Sequence, residues 1–263
     1  MPVALHNGVI AMNISLFVQK GQGKSASEDF VLVGTTICDD GFMNLDCPIP
    51  TIVAVIDGVG GNPGGRDASD FIAREFAGLD MSGIWNESVI REKLGQLNDE
   101  LICYAEAIVD KEKMAVTISG IMIGEDADYL FYVGNVRVYV IQGSYLKQLT
   151  VDHTTSQMLR IRGDAEGAEM VSKSEITACM GGGDPKLLKQ LQVVKVPQKV
   201  VGYVLTSDGI HDFLDEDTLE KTTEDINALV FKMLCEKASD MGSEDDKTIM
   251  VIRKMEVQDG TTI

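Results

Sequence analysis

The spacing of hydrophobic positions changes several times along the chain, and each spacing predicts a different kind of element. Short apolar runs rich in β-branched residues indicate strands at residues 8–20, 30–38, 51–57, 195–206 and 248–257. Between Ala115 and Leu149, apolar runs alternate with turn residues, which predicts an antiparallel meander. The stretch 39–50 is polar and punctuated by Gly and Pro, so we expect a connection there.

Apolar positions three and four residues apart predict helices. After residue 65 they are Ala68, Phe71, Ile72, Phe76 and Leu79. A longer stripe, for which Asn86 is the predicted N-cap, consists of Ile90, Leu94, Leu97, Leu101, Tyr104 and Ile108. Residues 225–236 are amphipathic, and their apolar face is predicted to be Ile226, Leu229, Val230, Met233 and Leu234. We also expect a short helix, capped by Asp152, that ends at Ile161.

Two long helices adjacent in sequence, set among blocks of antiparallel strand, favour a single α+β domain over residues 1–263. In such a domain the sheets stack on each other and helices cover them. The segment 163–183 is rich in Gly and charge, and we expect it to form a mobile loop or flap. Residues 258–263 are expected to be a frayed tail.

Composition changes the picture mainly through charge. The chain is 44% hydrophobic and 24% charged, as is ordinary for a globular protein, and no apolar stretch approaches the roughly 20 residues that span a bilayer. The first residues lack the basic start and cleavage site of a signal peptide, so we expect a cytoplasmic protein. A formal net charge of −18 disfavours binding to nucleic acid or to an anionic membrane.

The five cysteines are scattered, and no C-x-x-C pair occurs among them. This pattern indicates neither a disulfide framework nor a zinc site. We therefore expect five small buried side chains in a reducing compartment.

The chemistry is concentrated first in residues 53–61, where an apolar run ends in Asp57 and three glycines follow within four positions. An Asp at the end of a buried strand, next to glycines that let backbone carbonyls approach a ligand, suits a hard cation with oxygen ligands. The alternative interpretation is an ordinary Asp-Gly turn between a strand and a helix.

The same pattern recurs at three other strand ends. Glu28 and Asp29 precede one apolar run, Asp208 follows another, and the acidic segment 243–246 precedes a third. Four strand ends can converge on one site, and clustered carboxylates repel one another unless a cation neutralises them. The recurrence therefore favours a metal site over four separate turns.

Taken in order, these motifs resemble the protein phosphatase 2C family of metal-dependent serine/threonine phosphatases, in its bacterial single-domain form. The resemblance covers nearly the whole chain. The segments that carry it are KSASED at 24–29, DGVGG at 57–61, the small-residue strand 117–120, YVGNVR at 132–137, LTVDH at 149–153, ITACMG at 176–181, TSDGIHD at 206–212 and SEDDKT at 243–248. Each motif is weak alone, but eight in order at reasonable spacing are a strong signal.

The resemblance implies a four-layer α-β-β-α sandwich, with two antiparallel sheets flanked by helices and two Mn²⁺ or Mg²⁺ ions between the sheets. The ligand set it implies is the bridging carboxylate of Asp57, the carbonyl of Gly58, the carboxylates of Asp208 and Asp245, and Glu28 and Asp29 either directly or through water.

The activity implied is hydrolysis of phosphoserine or phosphothreonine by a metal-activated water, because bound ions lower the pKa of water and clamp phosphoryl oxygens. Asp57, Asp208 and Asp245 would be the catalytic metal ligands, and Lys24 would contact the phosphate. The partners implied are a phosphorylated protein substrate and a cognate Ser/Thr kinase pathway.

Four positions depart from the family pattern. Lys24 stands where many relatives have Arg, and Lys supplies the positive charge without the two-pronged hydrogen bonding of a guanidinium. Val59 stands where some relatives have a proposed general-acid His, so water would protonate the leaving group. Asn135 replaces an acid associated with a further metal, so a third site is predicted to be weak or absent. Asp246 stands where Asn is usual, and the sequence assigns it no definite role.

Two other polar residues of the motifs are interpreted as structural. Arg137 is predicted to form a salt bridge, and His153 to form a hydrogen bond next to a helix N-cap.

Two other functions remain open from the sequence. One is a pseudophosphatase, in which the same fold is a regulatory binding module. The intact Asp57, Asp208 and Asp245 argue against it, whereas Val59, Asn135 and Lys24 leave it open. The other is a metal-dependent hydrolase of small phosphoesters, which shares the chemistry and which the sequence cannot separate from a protein phosphatase.

Overall fold

The structure is a computed structural model, and it describes residues 9–61, 63–196 and 200–256. The first seven strands are β1 (Val9–Gln19), β2 (Asp29–Val33), β3 (Thr36–Cys38), β4 (Gly41–Pro48), β5 (Thr51–Gly58), β6 (Ala115–Ile123) and β7 (Asp128–Val133). The later strands are β8 (Arg137–Gln142), β9 (Tyr145–Gln148), β10 (Met180–Gly181), β11 (Gln192–Lys195), β12 (Gly202–Thr206) and β13 (Lys247–Glu256).

The helices are α1 (Gly65–Ala77), α2 (Glu87–Glu106), α3 (Thr155–Ile161), α4 (Ala165–Met170), α5 (Asp208–His211), α6 (Glu216–Thr222) and α7 (Ala228–Asp240), with a 3₁₀ helix at Pro185–Gln190. Asn86 caps α2 as predicted, because its side chain accepts hydrogen bonds from the backbone N–H groups of Ser88 and Val89 at 3.0 Å each. Among the described residues, no helix is both long and apolar enough to cross a membrane.

The strands form two antiparallel sheets. One has the order β4-β1-β13-β12-β8-β9, and the other has the order β11-β7-β6-β5-β2-β3, with β10 also paired to β6. Alternation along β5 shows how the layers form: Ile52, Ala54 and Ile56 face α1 and α2, whereas Val53 and Val55 face the other sheet. The helix α7 covers the outer face of that other sheet. The predicted α+β four-layer sandwich is therefore confirmed.

The predicted connection at 39–50 is wrong, because residues 41–48 form β4 at a sheet edge. Its exposed positions are Phe42, Asn44, Asp46 and Pro48, and the side chains between them turn toward the core. Polar side chains on the outer face of an edge strand give the segment a loop-like composition. The strand predicted at 30–38 is divided into β2 and β3 by a turn at Gly34, whose φ is 58°.

The segment from Ala115 to Leu149 contains two hairpins rather than one continuous meander. The β6–β7 hairpin belongs to one sheet and the β8–β9 hairpin to the other. The chain changes sheets at Gly134, where φ is 102° and an added Cβ would overlap the Thr117 side chain. Glycine is therefore required where the polypeptide crosses from one layer to the next.

Two helix predictions need correction. The helix α7 buries Phe231, Leu234, Cys235 and Ala238, whereas Leu229 and Met233 of the predicted face are 66% and 57% exposed. The helix α3 is capped by Thr154, whose hydroxyl accepts from the N–H of Gln157 at 3.2 Å, and not by Asp152. Asp152 pairs with Arg137 instead.

The segment 163–183 contains the helix α4 and the strand β10, so it is more ordered than the predicted loop. The strand predicted at 195–206 is β12 only from Gly202 onward, and residues 197–199 and the predicted tail 258–263 lie outside the described residues. All five cysteines are free; four are buried as predicted, but Cys103 is exposed.

Candidate metal centre

Neighbouring strands place the first two carboxylates side by side. Asp29 begins β2 and Asp57 lies near the end of β5, and the antiparallel register makes the two residues direct partners. The Asp29 side chain is almost fully buried, and its Oδ2 accepts a hydrogen bond from the hydroxyl of Thr248 at 2.7 Å. Since Thr248 belongs to the other sheet, this bond joins the two layers at the acidic site.

Asp208 follows β12 and Asp245 precedes β13, two paired strands of the sheet that also contains β1, and the two segments are fastened to each other. The N–H of Thr248 donates to the Ser207 hydroxyl at 3.0 Å, and the Ser243 hydroxyl donates to the Gly209 carbonyl at 2.8 Å. An added Cβ on Gly209 would overlap the carbonyl of Asp246, so only glycine permits this close approach of the turns.

Burial, and after it the crowding of like charges, raises the pKa values of these carboxylates. Burial, followed by repulsion from Asp246, raises the pKa of Asp29 to about 7. Burial, followed by repulsion from Asp245, raises the pKa of Asp208 to about 7 as well. Burial raises the pKa of Asp57 well above its ordinary value, and repulsion from Asp29, Asp208 and Asp245 adds to this effect. The centre thus carries more negative charge than its own protein groups balance.

Glu28 and Gly58 lie at the same end of the sheet. The N–H of Gly58 donates to the Glu28 carbonyl at 3.3 Å. An added Cβ on Gly58 would lie 2.6 Å from the backbone of Gly65 and 3.0 Å from Cβ of Glu28. The turn after Asp57 is therefore packed directly against the start of α1 and against Glu28.

Lys24 is held by carboxylates on three sides. Its Nζ lies 3.0 Å from Glu28 Oε2, 2.8 Å from Asp245 Oδ1 and 2.8 Å from Asp246 Oδ2. These contacts join the loop before β2 to the loop before β13, which are more than 200 residues apart in sequence. The phosphate contact predicted for Lys24 stays a prediction, because the described contacts of its ammonium are all to carboxylates.

Asp246 is the residue that the sequence singled out without a role. It is buried, and it accepts the backbone N–H groups of Gly21 at 2.6 Å and Glu28 at 2.8 Å in addition to the Lys24 ammonium. The available signal was the paired departure from the family pattern: an added carboxylate at 246 together with Lys at 24. The two residues form a partly buried ion pair inside the acidic site, since Asp246 is almost fully buried and Lys24 retains 29% exposure.

The donor chemistry fits hard cations. The site brings together carboxylates that suit Mn²⁺ or Mg²⁺, and the buried Oδ1 of Asp29 has no hydrogen-bond partner in the described structure. Within the described ranges, no three His, Cys, Asp or Glu side chains have a mutual geometry that could hold an ion by themselves. The ligand set implied by the family resemblance includes a backbone carbonyl and water, so side chains need not supply every ligand.

Asn135 and Val59 occupy defined positions near these carboxylates. The Asn135 Nδ2 donates to Asp208 Oδ2 at 2.9 Å, while its own Oδ1 is buried without a partner. The N–H of Val59 donates to the Ala115 carbonyl at 2.9 Å. The weak or absent third metal site predicted from Asn135 stays a prediction.

The two structural interpretations are confirmed. Arg137 forms a bidentate ion pair with Asp152, with N···O distances from 2.6 to 3.1 Å. The Nδ1 of His153 accepts a hydrogen bond from the N–H of Gly134 at 3.1 Å, next to the crossing between the sheets.

An open cavity of about 610 Å³ adjoins the acidic residues. Its walls include Asp208, Asp245 and Asp212, and residues 172–174 of the segment predicted to be a flap. Solvent thus reaches the carboxylates through a cleft between residues 172–174 and the segments that follow β12 and precede β13.

Comparison with known proteins places these features in context. No protein-family model matches the chain. The serine/threonine phosphatase Stp of Listeria monocytogenes is 26% identical over 225 residues, which are 80% of this chain and 86% of that protein. The serine/threonine phosphatase PstP of Mycobacterium tuberculosis is 25% identical over 223 residues, which are 80% of this chain and 42% of that protein.

Solved structures share the fold. A bacterial serine phosphatase superposes with a TM-score of 0.74 at 21% identity, covering 93% of this chain and 98% of the other. The catalytic domain of PstP in complex with two manganese ions gives a TM-score of 0.70 at 22% identity, covering 93% of this chain and 98% of the other. The four-layer sandwich is therefore the fold of these proteins.

Proposed function

We infer that this chain is a metal-dependent serine/threonine protein phosphatase of the bacterial protein phosphatase 2C type, which hydrolyses phosphoserine or phosphothreonine in protein substrates. The observation that carries the proposal is the meeting of Asp29 and Asp57 from one sheet with Asp208 and Asp245 from the other, at the edge of an open cavity. The similarity to Stp and PstP supports the same activity.

We propose that two Mn²⁺ or Mg²⁺ ions are held by Asp57, the Gly58 carbonyl, Asp208 and Asp245, with Glu28 and Asp29 as direct or water-mediated ligands. A neighbour in fold carries two manganese ions, which supports this composition. When bound, such ions lower the pKa of a water molecule and stabilise the charge of a phosphoryl group.

The remaining contributions come from the chain itself. Asn135 donates to Asp208 and orients its carboxylate, and Thr248 does the same for Asp29. Lys24 holds Glu28 and Asp245 at a fixed separation through two of its three ion pairs. Carboxylates that are already oriented need no rearrangement to bind a metal ion. Hydrogen bonds and ion pairs from neighbouring residues assist a metal site in this way.

Partners and location follow as further proposals. We propose that a Ser/Thr kinase generates the substrates and that nucleic acid is not a partner, since the net charge is −18. We also propose that residues 1–263 form one phosphatase domain in the cytoplasm. Five free cysteines support a reducing compartment.

The test is hydrolysis of a phosphothreonine peptide with and without Mn²⁺, by the wild-type chain and by Asp208→Asn. We expect metal-dependent turnover that falls by at least about 100-fold in the variant, because an electrostatic group at the reaction centre is worth about that factor. The matched control is Asp126→Asn, an exposed carboxylate in the β6–β7 turn at the opposite end of the sheet, which should keep full activity.

The pseudophosphatase alternative makes a different prediction in the same assay. A well-folded wild-type chain that binds Mn²⁺ in calorimetry but hydrolyses no phosphopeptide would favour the binding module and overturn the proposed enzyme. Hydrolysis of small phosphoesters without hydrolysis of any phosphopeptide would favour the small-substrate hydrolase.

A further inference from the structure

A second cavity lies beside the catalytic cleft and has a different character. Its volume is about 210 Å³, which is the scale of one side chain rather than of a nucleotide. Lys173 and Asp212 line both cavities, so the two spaces adjoin. A peptide that places its phosphoresidue in the cleft can therefore place a nearby residue in the second cavity.

Cationic groups converge on this second cavity in a chain of net charge −18. Arg137, Arg160 and Lys173 line it, together with Asp152 and Asp212. Arg137 is neutralised by its bidentate pair with Asp152. Among the described residues, no carboxylate lies within ion-pair distance of Arg160 or Lys173, and the Lys173 ammonium donates to the Asp212 backbone carbonyl at 3.1 Å.

A buried histidine supplies a third polar group beside Arg160 and Lys173. His211 is 6% exposed and lines the cavity. Its Nδ1 lies 2.9 Å from the hydroxyl of Thr206, and its Nε2 has no partner in the described structure. In the tautomer in which Nδ1 accepts from that hydroxyl, Nε2 carries a hydrogen and can donate to a ligand. A buried donor without a partner is costly, and an anionic ligand would satisfy it.

We propose that this cavity is a subsite for a second anionic group of the substrate, held by Arg160, Lys173 and the Nε2–H of His211. The ligand is an acidic or phosphorylated side chain close to the phosphoresidue that is hydrolysed. This inference rests on the proposed phosphatase activity and narrows its substrates to phosphoproteins with a further negative charge beside the phosphorylated site.

Phosphothreonine peptides that differ only at flanking positions test the subsite. Four series carry alanine, glutamate, lysine or a second phosphothreonine, and kcat and KM are measured for each. We expect KM to be roughly tenfold lower for the best anionic series than for alanine, since one charge-assisted hydrogen bond is worth about that factor. The glutamate and phosphothreonine series distinguish a carboxylate from a phosphate as the favoured group.

Variants of Arg160 and of the nearby Arg162 distinguish binding in the subsite from a general effect of positive charge on peptide binding. Arg160→Gln should bring the anionic peptide to the same KM as the alanine peptide, and Arg160→Lys should retain most of the difference. Arg162→Gln is the control, because Arg162 is exposed and does not line the cavity. Equal KM values for all four series, or an undiminished preference in Arg160→Gln, would overturn the subsite.

A binding measurement distinguishes failure of the subsite from failure of the proposed enzyme. Inorganic phosphate is titrated calorimetrically into the chelator-treated protein, in which the crowded carboxylates of the catalytic site repel anions. Saturable binding that weakens about tenfold in Arg160→Gln supports the subsite even if no peptide is hydrolysed, in which case the proposed function fails alone. Peptide hydrolysis without a flanking preference or phosphate binding leaves the enzyme intact and refutes the subsite.

Discussion

Replacement of Lys24 by Met tests whether this lysine positions the metal centre or merely contacts phosphate. The substitution keeps an apolar stem of similar length and removes the ammonium that joins Glu28, Asp245 and Asp246. Asp246 is the critical partner because its side chain is only 2% exposed, and it would lose one of its three hydrogen-bond donors.

The magnitude follows from that burial. Removal of one member of a fully buried ion pair lowers the free energy of unfolding by about 3–5 kcal/mol. Because the Lys24 side chain retains 29% exposure, we expect a loss of about 2–3 kcal/mol for Lys24→Met. A change of this size lowers the melting temperature by roughly 4–10 °C in a domain of this length. The double variant Lys24→Met/Asp246→Asn should lose less than the sum of the single variants by about 1–2 kcal/mol, because the two residues share one interaction.

Thermal unfolding of the chelator-treated protein is the assay, with Mn²⁺ affinity measured separately by calorimetry. Lys20→Met is the matched control, because Lys20 is exposed on the same loop and donates to the Ser25 carbonyl at 3.3 Å. A Lys24→Met variant with unchanged melting temperature and a raised KM would refute the positioning role and support the phosphate contact.

Three further predictions concern the same centre. Since Asp29 and Asp208 have folded-state pKa values raised from 3.8 to about 7, the metal-free fold binds more protons than the unfolded chain and should lose stability as pH rises from about 4 to about 7. Melting curves should show this slope reduced in Asp29→Asn, and an unchanged slope would contradict the assignment. Gly58→Ala should lower the free energy of unfolding by about 1–3 kcal/mol and weaken Mn²⁺ binding in calorimetry, because the added Cβ would overlap the Gly65 backbone. Gly60→Ala is the control, since a Cβ added at Gly60 meets no atom within 4 Å. Asn135→Asp replaces a hydrogen-bond donor to Asp208 by a repelling carboxylate and should lower the free energy of unfolding by about 2 kcal/mol in the chelator-treated protein. Unchanged stability would refute the contact. Binding of a third Mn²⁺ equivalent by this variant in calorimetry would support the role assigned to position 135.

The end of the strand β5 and the N-cap of α2 could be predicted from the sequence because each depends on local pattern. The apolar run before Asp57 and the polar cap at Asn86 each require only a few neighbouring residues, and both lie where the pattern places them. The segment β4 could not be predicted in this way, since an edge strand with a polar outer face has the composition of a loop.

Long-range pairing limits what the pattern can predict. Asp is a residue type that commonly caps helices, but the carboxylate of Asp152 is bound instead by Arg137, which lies 15 residues earlier in the sequence. Lys24 and Asp246 are 222 residues apart, and only the packing of two loops shows that they form a pair. The buried face of α7 is likewise set by the sheet it covers, which moves the core from Leu229 and Met233 to Phe231 and Cys235.

The strand order has a consequence for how the protein is made. The strand β13 is the last of the described strands, yet it lies in the middle of its sheet, between β1 and β12. During synthesis, β1 therefore waits for a partner that leaves the ribosome more than 200 residues later, with its edge open to other chains. Closure of this sheet is a late, non-local event, and the loop carrying Asp245 and Asp246 arrives with it. A nascent or truncated chain without β13 has no complete acidic centre, so phosphatase activity would be withheld until folding is finished.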